Sequence, residues 1–280
     1  MIEVLDNKKV FINNGPIQMV LDISLNGKRE PEIGIEVSKY LLSEFNELAQ
    51  YTPYIKSNKC LNAKDCGGSI VLKKMVDAVC RSGDCSLTPL AAVAGSFSDL
   101  ALEKSLEFGA ERVIINNGGD IALKDITGNI IKVGIPVNNK ELVLSIDSQS
   151  KINGICTSGI GGRSFTKGIA TASVVLGETA AMADACATCI GNAADVESDG
   201  IVRCYAEEID SETDIPGNLV TLSVGELSKK EIYRALLNGI ETAEKLYNEN
   251  IIKGSILCIK DKIVMFPENS SYFTLEKIYA

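Results

Sequence analysis

Residues 154–192, GICTSGIGGRSFTKGIATASVVLGETAAMADACATCIGN, carry the side chains best suited to chemistry. A glycine-rich turn with two basic residues, Arg163 and Lys167, leads through an apolar run into a segment of very small residues. Gly159, Gly161 and Gly162 allow backbone N–H groups to surround an anion, and the cations favour a phosphate. Between residues 148 and 177 there are three bases (Lys151, Arg163, Lys167) and no acid, a positive island in a chain of net charge −9. A solvated hairpin with an ordinary glycine turn would account for the same residues. The small-residue segment carries Asp184 and, four positions on, Thr188. On a helix these share a face. A carboxylate and a hydroxyl together suit a hard cation such as Mg²⁺, which completes its shell with phosphate and water. The alternative is a satisfied acid packed among alanines, although an unpaired buried carboxylate is costly.

Asn116-Asn117-Gly118-Gly119-Asp120 lies between two strand-like runs. Asparagine amides there could meet the edge of a heterocycle, with the glycines giving it room. A tight hairpin explains the same residues, since Asn-Gly is a favoured turn pair. Cys186 and Cys189 form C-x-x-C in mid-helix, where packing is the simpler reading than redox chemistry. Cys60, Cys66, Cys80 and Cys85 match no common zinc or ferredoxin spacing, so an iron–sulfur cluster is disfavoured though left open. Histidine is absent, which removes Ser-His-Asp and Cys-His catalysis and any imidazole base. No residue is assigned to catalysis.

The elements that must position these groups follow from punctuation and period. Residues 9–25 read as a hairpin turning at Asn14-Gly15-Pro16. Ile33, Val37, Leu41, Phe45 and Leu48 recur at helical spacing after Pro31. A helix is expected over 68–80, broken at Ser82-Gly83-Asp84. A long one is expected from Thr88-Pro89, with Thr88 as N-cap, to Phe108. Strands are expected at 111–116, 121–124, 130–136, 141–147, 152–157 and 169–176, then the helix 178–191. A strand at 201–206, an acidic loop at 207–214, a strand at 218–223 and a helix at 228–248 capped by Ser228 follow. Strands at 255–260 and 262–266 come next, and the last ten residues read as a tail. Strands and helices neither alternate strictly nor segregate, so the expected class is α+β, with mixed or antiparallel sheets packed with helices. Residues 1–280 read as a single domain without a clear linker. AAVAGSFSDLALE (91–103) echoes AAMADACATCIG (180–191), with Asp99 and Asp184 central. The echo reads as shared composition rather than as two related lobes.

With 45% hydrophobic residues the chain can bury a large core, and 23% charged residues argue against disorder. The acidic balance disfavours nucleic acid and anionic membrane as partners. No apolar run approaches a membrane span, and residues 1–14 predict no signal peptide, so the expected location is the cytoplasm.

Ala183-Asp184-Ala185-Cys186-Ala187-Thr188 resembles the A-D-A-x-x-T helix of the ApbE superfamily of flavin-binding proteins. Asn117-Gly118-Gly119-Asp120 is similar to its glycine-pair turn, and Ser158-Gly159 to its later S-G loop. Segments similar to Gly15-Pro16-Ile17-Gln18-Met19 and to residues 82–99, 112–122 and 157–170 occur in its uncharacterised ApbE-like branch, so the likeness covers nearly the whole chain. The resemblance implies a FAD-binding ApbE-like fold, with Mg²⁺ on Asp184 and Thr188 and flavin contacts at Asn117, Gly118, Gly119 and Asp120. The transferases of the superfamily split FAD and attach FMN to a Thr or Ser of a target protein. Their H-I-I-D-P-x-T-G segment is replaced here by GGRSFTKG (161–168), with neither His nor Asp-Pro. Flavin binding survives that departure better than flavin transfer. The expected function is therefore a flavoprotein: a flavin-dependent redox protein or subunit, its nucleotide held by 117–120, 158–168 and 184–188. The alternatives are a Mg²⁺-dependent FAD:protein FMN transferase and a scaffold with a decayed flavin site. A redox partner protein and a homo-oligomer both stay open.

Overall fold

A computed structural model describes residues 1–15, 17–57, 67–137 and 140–278. Strands β1 (Ile2–Val4), β2 (Val10–Asn14), β3 (Ile17–Leu25) and β4 (Lys28–Arg29) open the chain. Helix α1 (Pro31–Leu48) follows, with proline in its first turn and a buried stripe of Gly34, Val37, Ser38, Leu41 and Leu48. The short α2 (Thr52–Ile55) and α3 (Ile70–Ser82) come next, α3 capped by the Ser69 hydroxyl. Then come α4 (Val93–Glu107), β5 (Arg112–Asn117), β6 (Asp120–Asp125), β7 (Ile131–Val137), β8 (Lys140–Ile146), β9 (Gly154–Ser158) and β10 (Ala172–Gly177). Helix α5 (Ala180–Ala193) is capped by Thr179. The chain continues through β11 (Ile201–Tyr205), α6 (Ala206–Ile209), β12 (Leu219–Val224), α7 (Lys229–Asn248), β13 (Gly254–Ile259), β14 (Lys262–Phe266) and β15 (Phe273–Ile278).

Nine strands run β1-β2-β3-β5-β6-β9-β10-β13-β14 across one sheet, with β4 folded onto β3 as its tenth member. Every described pairing is antiparallel. The fold is α+β. The central strands alternate between two cores: Val175 and Leu257 face the helices, while Val174, Leu176 and Ile256 face the three-stranded sheet β15-β8-β7. A strand covered on both faces shows as an apolar run, which is what β10 (ASVVLG) and β13 (GSILCI) are.

Three expectations are corrected. The helix from Pro89 starts as a 3₁₀ turn, Pro89–Ala92, and α4 begins only at Val93. Thr88 does not cap it, because its hydroxyl is bonded to the Asp214 carboxylate. The last residues are no tail: β15 pairs with β8 from Phe273↔Ile146 to Ile278↔Glu141, and Phe273 is buried. The turn at Asn14-Gly15 stands as read, with Pro16 outside the described residues.

Helices α4 and α5, the two segments that echo each other, pack side by side and exchange caps. Asp99 of α4 accepts from the amides of Ala180 and Ala181 at 2.7 and 2.8 Å, at the start of α5. Asp184 of α5 accepts from the amide of Gly95 at 2.9 Å, in the first turn of α4. Each carboxylate sits at the positive end of the other helix and satisfies amides with no intrahelical partner. The approach is close: a Cβ on Gly95 would lie 2.3 Å from the Ala180 carbonyl oxygen.

Candidate functional site

The exchange of caps leaves Asp184 and Thr188 half-buried on the face of α5 turned to a cavity of about 560 Å³. That volume is within the usual range for small-molecule sites, about 300–1,000 Å³. One wall is apolar, from Leu87, Leu90, Val93, Phe165 and Ile215. The polar lining comes from Gly118, Asp120, Thr157, Ser158, Gly162, Arg163, Lys167, Asp184 and Thr188, among others.

Asp120 is 9% exposed, its Oδ1 accepting from the Thr157 amide at 3.3 Å. Burial pushes its pKa up to about 6 against the pull of the Thr157 amide, the Cys156 thiol and the Arg163 charge. Burial, then the charge of Asp120, raises Asp184 well above the usual carboxylate range. Two carboxylates therefore share one low-dielectric corner with Arg163 nearby. Among the described residues no group of three His, Cys, Asp or Glu side chains is placed to hold a metal. A cation here would depend on Asp120, Asp184 and Thr188 plus oxygens from a ligand, an all-oxygen donor set that suits Mg²⁺.

Arg163 is braced against the 117–120 turn, where its guanidinium donates to the Asn117 carbonyl at 3.1 Å. Gly118 makes this possible: with φ +65° it is in the left-handed region, and a Cβ would lie 2.3 Å from an Arg163 nitrogen. Lys167 reaches across to the Ser86 hydroxyl at 3.0 Å, while its amide donates to Asn192 Oδ1 at 2.9 Å.

The structure thus brings Gly118, Asp120, Ser158, Gly162, Arg163 and Lys167 to one hollow with Asp184 and Thr188. Asn117, Gly119, Gly159 and Gly161 do not line it. The Asn117 side chain is fully buried and committed to backbone: Oδ1 accepts from the Gln18 amide at 3.1 Å, and Nδ2 donates to the Ala94 carbonyl at 3.3 Å. It ties β3 and α4 to the turn and leaves no amide for a heterocycle. Asn116 closes the turn by accepting from the Gly119 amide at 2.9 Å. The positive island is divided, since Lys151 lies beside Glu178 and away from the cavity. Cys186 and Cys189 are buried in α5, and burial raises both thiols. Cys60 and Cys66 fall outside the described residues, and Cys80 and Cys85 are exposed.

Two parts of the site were not read from the sequence. The acidic loop supplies Asp210, Glu212, Thr213, Asp214 and Ile215 to the cavity wall. The second is a pairing: Asp120, expected as a flavin contact, also stands as a second carboxylate beside Asp184. No helix among the described residues is long and apolar enough to cross a membrane.

A family model described as AbpE bacteria matches residues 3–265. A UPF0280 protein of Methanosarcina barkeri is 36% identical over 139 residues, 48% of this chain and 53% of the relative. Others in Methanococcus aeolicus and Methanococcus vannielii are 34% and 31% identical over 185 and 192 residues, covering 63% and 67% of this chain and 69% and 73% of the relatives. The chain spans about half the length of the Methanosarcina relatives it matches, 53% and 48%. With nearly its whole length matched, the chain belongs to the AbpE bacteria family, an ApbE-like family with UPF0280 relatives.

Proposed function

We propose that this chain binds FAD in the cavity between α4, α5 and the 158–168 loop, and serves as a flavin-dependent redox protein or subunit. The observation that carries the reading is the meeting of two cations, Arg163 and Lys167, with two carboxylates, the buried Asp120 and the half-buried Asp184, around one open hollow. The residues fit the group by their chemistry. Arg163, already held by the Asn117 carbonyl, has donors suited to phosphate oxygens, and Lys167 offers a second cation. The apolar wall of Leu87, Leu90, Val93 and Phe165 suits a flat ring. Two carboxylates and the Thr188 hydroxyl would hold Mg²⁺ against the diphosphate, its charge offsetting the burial and the Asp120 repulsion that raise Asp184. Bound FAD would supply the hydride or electron chemistry, which needs no histidine from the protein. The chain's own residues would orient it and keep water from its apolar side.

Protein purified without air should carry or take up flavin absorbance, and excess FAD with Mg²⁺ should raise Tm. Colourless protein whose melting does not respond to FAD refutes the reading. The Asp184–Thr188 pair on the cavity face also favours a second reading, Mg²⁺-dependent transfer of FMN to a Thr or Ser acceptor. Release of AMP from FAD in the presence of an acceptor protein would separate the two.

A further inference from the structure

We infer that residues 206–218 form a latch-held lid over the cavity, and that opening it sets the rate at which ligand enters and leaves. This rests on the reading that the cavity takes a flavin nucleotide and adds how access to that site is governed.

The segment is an excursion between β11 and β12. Ala206 and Val220 are fully buried at its ends, and every residue between them is exposed or half-buried. It contributes almost nothing to either apolar core, so burial does not hold it down. Its tip nevertheless forms part of the cavity wall. Two clasps hold the tip across the hollow. The Thr88 hydroxyl, 2% exposed at the start of the α4 segment, donates to the Asp214 carboxylate. Beyond the cavity, Lys56 Nζ donates to the Glu212 carbonyl at 2.5 Å and lies 3.8 Å from the Glu212 carboxylate.

The base of the lid is tied to the phosphate-reading loop. The Thr221 amide donates to the Thr166 carbonyl at 2.8 Å, and its hydroxyl to the Lys167 carbonyl at 3.2 Å. Lid position and the placing of Lys167 therefore share a backbone. The lid also carries five acids (Glu207, Glu208, Asp210, Glu212, Asp214) and no base. A dianionic diphosphate passing beneath it is repelled unless the lid lifts or a cation intervenes. A segment held by clasps rather than by core has what a gate needs, a closed state only a few bonds more stable than the open one.

The test uses the whole chain with Thr88→Val and Lys56→Met, neither of which removes a cavity cation or the Asp120–Asp184 pair. Hydrogen exchange at amides 206–218 is followed without ligand, and FAD association and dissociation by stopped flow with Mg²⁺. A charge-assisted hydrogen bond lost from the clasp should speed lid exchange and both FAD rate constants about tenfold in Thr88→Val, with little change in Kd. The more exposed Lys56 clasp should give about two- to fivefold. Exchange in α5 should not change. Lid exchange and FAD rates equal to wild type in both variants overturn the gate. If wild-type protein binds no FAD, the flavin reading fails by itself, and the ligand-free exchange then decides whether a clasped lid exists.

Discussion

Among single residues, the proposed flavin reading gives Arg163 the job of taking an anion and Asp184 that of taking a cation, and each has its own test. Arg163→Ala should weaken FAD binding about 10–100-fold, the worth of charge-assisted bonds to phosphate. Lys151→Ala, in the same basic stretch but away from the cavity, should leave titrations unchanged. Asp184→Ala should abolish the part of FAD affinity that depends on Mg²⁺ while leaving some metal-free binding, measured by titration with and without EDTA. Gly118→Ala should mimic Arg163→Ala in part, since its Cβ would fall 2.3 Å from an Arg163 nitrogen. The guanidinium can swing aside, so the loss should be smaller and the fold should persist. Arg163, Lys167, Asp184 and Thr188 were legible because basic, glycine-rich and small-residue runs stand out in an acidic chain. The engagement of the Asn117 side chain was not legible, because its partners, Gln18 and Ala94, come from elements distant in sequence. The pairing of Asp120 with Asp184 was illegible for the same reason.

At the level of elements, the start of α5 is fixed by α4, and the start of α4 by α5. Gly95→Ala should force the two apart and cost about 1–3 kcal/mol by overpacking, seen in urea unfolding. Asp99 gives the pH signature. Burial raises its pKa to about 7 in the fold, from 3.8, even with two amides bonded to it. Between those values the folded chain holds a proton that the unfolded chain has released. Its contribution to stability is thus greatest below pH about 4 and is lost as pH rises through about 7. Asp99→Asn should remove a slope of at most about 1.4 kcal/mol per pH unit over that window, measured as the difference in unfolding free energy from wild type. Local signals predicted most elements well: Pro31 opening α1, Ser228 capping α7, and Asn14-Gly15 turning β2 into β3. They failed where tertiary contacts decide, as when Asp214 draws the Thr88 hydroxyl away from the cap of α4.

For the whole molecule, the antiparallel sheet separates two cores, with the helices and the cavity on one side and β15-β8-β7 on the other. The closing strand was unreadable because its apolar alternation is brief, Phe273 and Leu275 before Glu276 and Lys277, and its partner β8 lies far back in the chain. Phe273 is 3% exposed in the second core, so Phe273→Ala should cost about 3–5 kcal/mol. That loss should appear as a lower Tm with unchanged FAD affinity per folded molecule, because the second core does not touch the cavity. The central claim is that two cations and two carboxylates around one hollow grip a flavin diphosphate through a metal. Its most direct test is isothermal titration of the purified chain with FAD, with and without Mg²⁺, in wild type and Asp184→Ala. The account predicts FAD binding that Mg²⁺ tightens in wild type and leaves unaltered in the variant. Equal heats in all four titrations, or no binding in any, would contradict it.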